Sequence, residues 1–388
     1  MPASTQDLAR RRFLQLSGAT LAWLSTSRYG LAREEVRSLI TRQETPYNAE
    51  PSLEKLADQW TTPGELMFIR SHGNVPEIDP DSYRLRIEGL VEKPQEMSLE
   101  QIAKAGKAVK NHAVLTCAGN RRDELSAIKK ISGVQWSAGA IGNPEWEGTP
   151  LREVLATAQI KPEAKHVWFE GLDEVDHDGH KIAFGGSIPL SKLATNEMPV
   201  LLATKMNGKP LTQQHGYPLR VVVPGFIGAR SVKWLGKIVV SDRPSPNHFL
   251  AETYKLVQTS DPQEMADADP LYETVQNSAI CFPTAGAALK AGKVQLKGYA
   301  LPPGKQTATI AKVEVSVDGG AWQATKLEKA DQPYCWALWQ HAVELSPGKH
   351  TLRVRSVDNK HANQPEKPFW NAKGYMCNGW HTVEVEAA

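Results

Sequence analysis

Leu115-Thr116-Cys117-Ala118-Gly119-Asn120-Arg121-Arg122 is the stretch best suited to chemistry. A cysteine follows a short β-like segment directly, and Ala-Gly then turns the chain. Two arginines, four and five residues on, favour the thiolate form of Cys117. A thiolate is both a nucleophile and a soft metal ligand. The same residues would equally describe a buried, inert cysteine beside a surface arginine pair. No Cys-x-x-Cys-His run occurs, so no covalent haem is expected. No cysteine cluster fits an iron–sulfur centre.

Such a cysteine needs a framework, and two textures supply it. Over residues 45–260, short helices alternate with short β-like segments. Leu53, Leu56, Ala57 and Trp60 fall at helical spacing. Ser98-x-x-Gln101 starts a short helix with a capping box. Thr149-Pro150 reads as cap and first-turn proline for a helix over Leu151 to Ala158. Tyr83 to Ile87, His112 to Leu115, Val167 to Glu170, Pro218 to Val223 and Ser231 to Val240 read as strands. A polar, acidic link runs from about Ser260 to Asp269. Over 270–388 regular strands take over: Val313, Val315 and Val317 alternate, and Asp318-Gly319-Gly320 and Ser346-Pro347-Gly348 are turns. The fold class expected is α+β, a mixed domain followed by an all-β immunoglobulin-like sandwich.

The 388 residues carry 45 Lys+Arg against 43 Asp+Glu. That balance argues against a global nucleic-acid-binding surface. At 41% hydrophobic residues the chain is not disordered. No apolar run is long enough to span a membrane. Arg10-Arg11-Arg12-Phe13-Leu14, a short apolar run and Gly30-Leu31-Ala32 resemble a twin-arginine export signal over 1–32. An amphipathic N-terminal helix is the plainer alternative. Export by that route implies a protein folded in the cytoplasm, often around a cofactor, with the periplasm as destination. Residues 1–32 hold four arginines and one aspartate, so the remainder has 41 basic and 42 acidic residues, a charge of −1. Of the four cysteines, Cys335 and Cys377 could pair after export; otherwise Cys281, Cys335 and Cys377 are small buried hydrophobes.

Cys-Ala-Gly-Asn-Arg-Arg resembles the molybdenum-ligand motif of the sulfite oxidase family, and further motifs continue the match in order. Phe68-Ile69-Arg70-Ser71-His72 precedes it. Trp136 to Gly142, Trp146-Glu147-Gly148, Phe169 to Asp173 and Phe184 to Leu190 follow. His215 to Gly225 and Gly228 to Leu235 come next, then Tyr254-Lys255. The likeness covers about residues 45–388.

The resemblance implies one molybdenum with molybdopterin per chain, bound through a pterin dithiolene and one cysteine, here Cys117. Arg70 matches a substrate arginine, whose planar fork suits a small oxyanion such as sulfite. His72, Arg122 and Tyr254 match further pocket positions, while Arg121 reads as a salt-bridged structural neighbour. Phe68, Ile69, Arg70, Ser71, His72, Asp173, His215, Arg220, Ser231, Val232 and Lys233 match cofactor-holding positions. His215, Arg220, Ser231 and Lys233 would hold the pterin and its phosphate, and Asp173 would accept from its amines. Trp146 would wall the pocket or pack the core. Trp370-Asn371-Ala372-Lys373-Gly374 departs from the family's Trp-Asn-x-Arg-Gly: Lys373 keeps the charge but loses the fork.

The function implied is oxidation of sulfite to sulfate by a haem-free periplasmic dehydrogenase. No haem domain is expected before residue 45, so electrons would pass to an external acceptor such as a periplasmic cytochrome c. No nucleic-acid partner and no membrane span are expected, and the C-terminal domain would make a homodimer. Two alternatives stand beside this. The same cofactor could act on protein-bound sulfane sulfur or reduce an S-oxide, which a wide open pocket would favour. The chain could also be a non-enzymatic interaction protein, against which Cys117 and its arginines argue.

Overall fold

The computed structural model describes residues 39–194, 198–305 and 307–388. The segment 1–32, read above as an export signal, lies outside them.

Two sheets frame the N-terminal part. The first runs Gly185–Pro189, His166–Gly171, Leu235–Ser241, Leu85–Gly89, Gln95–Met97, with one parallel pair at its centre. Alternation drives it: in His166–Gly171, Val167, Phe169 and Gly171 turn inward. The second runs Lys209–Pro210, Leu201–Met206, Glu145–Pro150, Val109–His112, and Arg220–Val222 joins it beside Leu201–Met206. Between them the helix Leu151–Ala158 buries Leu151, Val154, Leu155 and Ala158, one helical stripe. Its cap is Pro150, the last residue of the strand before it, not Thr149. The helix Leu99–Lys104 has its expected capping box: the Ser98 hydroxyl accepts from Gln101 N–H at 3.2 Å, and the Gln101 side chain accepts from Ser98 N–H at 2.8 Å.

Several expected elements are shorter. The helix at 53–60 is only Leu53–Leu56. Trp60 instead packs across the chain, exchanging hydrogen bonds with the Trp336 backbone and ring at 2.9 and 2.8 Å. His112 to Leu115 splits into Val109–His112 and Leu115–Thr116, which sit in different sheets. The expected strand at 231–240 begins only at Leu235. Trp234 adopts a positive φ of 49° just before it, and that bend leaves Ser231 to Lys233 as loop.

After the acidic link, which contains a helix Pro262–Asp267 capped by Asp261, two sheets face each other. One contains Asn277–Phe282, Gly292–Leu301, Ala337–Leu345 and Lys326–Glu328. The other contains Ala288–Leu289, His381–Ala387, Gly348–Asp358, Ile310–Val317 and Gln323–Ala324. Val313, Val315, Trp339, Val354 and Val385 fill the space between them. All four cysteines are free and buried, so Cys335 and Cys377 do not pair. Burial pushes their thiols up, to about 12 for Cys335 and about 11 for Cys377.

Candidate functional site

The strand Leu115–Thr116 pairs with Ile141–Gly142 and delivers Cys117 to a cleft of about 670 Å³. The turn after it is held from several sides. Cys117 N–H donates to Ala140 O at 2.9 Å, and Asn120 Oδ1 accepts from Ala140 N–H at 3.0 Å. Glu50, wholly buried, accepts from Ser137 and Gly139 N–H at 2.9 and 3.0 Å and so fixes the facing segment. Asn120 also donates to the hydroxyl of Tyr299, from the C-terminal sandwich, at 3.1 Å.

Phe68, Arg70, Ser71, His72, Cys117, Asp173, His215, Arg220, Ser231 and Lys233 all line this cleft. Residues up to 165 positions apart thus meet where loops leave several strands. Four expected residues do not line it. Ile69 is buried and pairs its backbone with Ala49. Val232 turns into the hydrophobic core, while its carbonyl accepts from Val221 N–H at 2.9 Å. Tyr254 and Arg122 stand one layer behind the wall. Tyr254 Oη lies 3.0 Å from His72 Nε2. It follows a π-helical turn, Phe249–Thr253, a local distortion frequent at functional sites.

Positive charge is concentrated here, with Asp173 the one carboxyl group among the lining residues. Arg70, Arg122, Arg220, Arg230 and Lys233 form no ion pair among the described residues. Lys233 Nζ donates to Ser71 Oγ at 3.0 Å and Gln214 O at 2.7 Å. Burial and the nearby Arg220 push its ammonium well below the usual lysine range. Arg220 donates to His215 O and Ser231 O, both at 2.9 Å, and stacks over the Trp146 ring at 5.0 Å. Trp146 itself is wholly buried and donates to Ala113 O at 3.1 Å, so it packs the core beneath that arginine. Burial brings Arg220 down to about 9 and His215 down to about 3. His72, between the rings of Phe184 and Phe249 at 4.6 Å each, is held well below its ordinary pKa by burial and by Arg70. Both histidines are therefore neutral at pH 7.

Asp173 is the acid among these lining groups. Burial raises its pKa to about 6, against the pull of Lys233, and its Oδ1 is buried with no partner. A buried orphan acceptor marks a place for donors. A soft thiol, stranded cations and an orphan carboxylate oxygen fit one kind of group: a metal with an anionic, amine-bearing organic ligand. Cys117 would hold the metal, Arg220, Ser231 and Lys233 the anion, and Asp173 the amines.

Sequence reasoning placed Arg121 outside the site, and it is. Its Nε and Nη2 grip Glu124 at 2.6 and 2.7 Å, and it also donates to Asn277 and Gly379 across the domain junction. Two site residues were not singled out. Arg230, wholly buried, lies under Tyr254 at 5.6 Å, with Nη2 unpartnered. Tyr375 stacks on Tyr254 and lies under Arg122. Arg230 stood inside the quoted run Gly228 to Leu235, and Tyr375 directly follows Trp370 to Gly374.

Two family descriptions match the chain: "Oxidoreductase molybdopterin binding domain" over residues 72–249, and "Mo-co oxidoreductase dimerisation domain" over 268–388. Sulfite oxidase of Arabidopsis thaliana is 34% identical, the match covering 89% of this chain and 93% of that protein. The chain belongs to the sulfite oxidase family. It is thus a member of a molybdopterin-binding oxidoreductase family, and the cleft described above meets the demands of that cofactor. Mitochondrial sulfite oxidase of Homo sapiens is 38% identical over 90% of this chain, but the match spans 66% of that relative's length. Among solved structures, the sulfane dehydrogenase SoxCD from Paracoccus pantotrophus shares the family architecture. It has a TM-score of 0.75 and 26% identity, covering 90% of this chain and 88% of that one.

Proposed function

We propose that this protein oxidises sulfite to sulfate. The observation that carries this reading is Arg70: a guanidinium on the same cleft wall as Cys117 and His72, not ion-paired, its Nη1 3.1 Å from Asn48 Oδ1. It is oriented, and its charge is left for a small oxyanion. The bound molybdenum centre supplies oxygen-atom transfer and takes up two electrons. The chain's own residues bind, orient and exclude water. Arg70 positions the substrate by charge and geometry, and Arg122 adds positive charge from behind the wall. His72, kept neutral, exchanges a hydrogen bond with Tyr254, so the phenol is fixed beside the reacting centre. Phe184 and Phe249 wall His72 against water.

The likeness to a sulfane dehydrogenase supports the second reading, protein-bound sulfane sulfur. Steady-state oxidation of sulfite by the molybdenum-loaded protein separates them. Turnover is expected; no turnover with sulfite, and turnover with a carrier-bound persulfide, would overturn the first. Comparing ferricyanide with cytochrome c tests the external acceptor. Export through the twin-arginine route to the periplasm, and a homodimer through residues 270–388, complete the proposal. A signal-deleted variant retained in the cytoplasm and sedimentation of the mature protein check them.

A further inference from the structure

Behind the wall of the site, support comes from the C-terminal domain. The segment Asn371-Ala372-Lys373-Gly374-Tyr375-Met376 returns to the cysteine turn, where Met376 N–H donates to Ala118 O at 2.7 Å. Asn371 locks the segment: its Nδ2 donates to Tyr375 O at 2.7 Å, and its Oδ1 accepts from Tyr375 N–H at 3.0 Å. The Tyr375 ring is thereby held between two groups of the site. It stacks on Tyr254 with centroids 5.2 Å apart at 21°, and the Arg122 guanidinium carbon lies 5.1 Å from its centre.

Arg122 needs such a support. Its side chain makes one hydrogen bond, from Nη1 to Val134 O at 2.9 Å, and its Nε is buried without a partner. It lies in a slot lined by glycines. A Cβ at Gly119 would come within 2.6 Å of Nη2, one at Gly133 within 3.0 Å of Nη1, and one at Gly374 within 2.8 Å of Cγ. A guanidinium so weakly tethered takes its orientation from the aromatic face beneath it. Among the described residues Lys373 makes no hydrogen bond or ion pair, so it is not the tie between this segment and Arg122.

We propose that Tyr375 is a positioning residue: its ring sets the Arg122 guanidinium and the Tyr254 phenol in the arrangement that receives a sulfur oxyanion. This rests on the role given to Arg122 in the proposed function. The ring, not the hydroxyl, does the positioning. The test uses the molybdenum-loaded full chain with Tyr375→Leu, Tyr375→Phe and Gly374→Ala, read by sulfite kinetics and by sulfate titration calorimetry. Tyr375→Leu should raise the KM for sulfite and the Kd for sulfate about tenfold, with kcat within about twofold. Tyr375→Phe should stay within about twofold of the wild type in all three. Gly374→Ala, which crowds Arg122 at a φ of +65°, should behave like Tyr375→Leu and serves if that variant does not fold. Unchanged KM and Kd in Tyr375→Leu or Gly374→Ala, or a Tyr375→Phe as impaired as Tyr375→Leu, would overturn the proposal alone. A wild type that neither oxidises sulfite nor binds sulfate would overturn the functional reading, and this inference with it.

Discussion

Lys233 shows what the site asks of a single residue. Its ammonium is buried, repelled by Arg220 and Arg70, drawn towards Asp173, and hydrogen-bonded to only two neutral oxygens. Burying a charge unpaired is costly, so the arrangement makes sense when an anion completes it. Lys233→Ala should lower affinity for the pterin by roughly thirtyfold or more, the scale of a lost charge-assisted hydrogen bond. Elemental analysis of purified protein would show it as molybdenum depletion; full metal occupancy would contradict the assignment. Arg70 makes the complementary case on the substrate side. Arg70→Gln should raise the KM for sulfite at least about tenfold, with the molybdenum content kept. An unchanged KM would remove Arg70 from the substrate site.

The elements that matter most are short. Leu115–Thr116 is a two-residue strand, yet it places Cys117. The helix Arg122–Ile128 that follows starts with Arg121 in a left-handed conformation at φ 64°. That turn sends Arg121 and Arg122 to opposite duties, one into the domain junction and one towards the pocket. Arg121 is wholly buried, and Glu124 is its charge partner. Burial works against the Arg121 charge, and Glu124 more than offsets it. Removing one partner of a fully buried pair costs roughly 3–5 kcal/mol. The Glu124 side chain keeps a third of its surface exposed, so Glu124→Gln should cost less, about 2 kcal/mol. Denaturant unfolding would measure it, and a loss below about 0.5 kcal/mol would mean that Asn277 and Gly379 satisfy Arg121 unaided.

Across the whole molecule, the junction between the two domains decides both stability and site geometry. His381 sits there, buried, its Nδ1 accepting from Ile280 N–H at 3.1 Å. Burial lowers its pKa from 6.5 to about 4. The unfolded chain therefore binds a proton below pH 6.5 that the folded chain refuses until about pH 4. Stability rises with pH through that window and is lost on acidification. The loss from pH 7.5 to pH 5 attributable to this one group is roughly 2 kcal/mol. His381→Gln, which keeps an acceptor but does not titrate, should flatten the acid loss by that amount in unfolding curves at the two pH values. Parallel curves for variant and wild type would place the acid sensitivity elsewhere.

Local chemistry was legible in the sequence. The capping box at Ser98, the strand over Val313 to Val317 and the Cys-Ala-Gly-Asn-Arg-Arg turn each depend on neighbours a few residues apart, and each is present, although Glu314 and Ser316 are buried like the valines beside them. Ordered motifs likewise identified the family and the residues that now line one cleft. The near-neutral charge was legible too, and the matched motifs already held Arg70, Arg122, Arg220, Arg230 and Lys233 as a focused positive pocket; the fold supplies the contacts that gather them. Tertiary structure also decided which matched residues face that pocket. Val232 and Lys233 are adjacent, yet one enters the core and the other the cleft, because Trp234 bends the chain beside them. Tyr375 follows a quoted motif, but its contact with Tyr254 could not be read. It lies 121 positions beyond Tyr254 and meets it only because the C-terminal sandwich docks its return segment against the cysteine turn. Side-chain contacts between distant segments depend on how domains pack, and no local pattern encodes that.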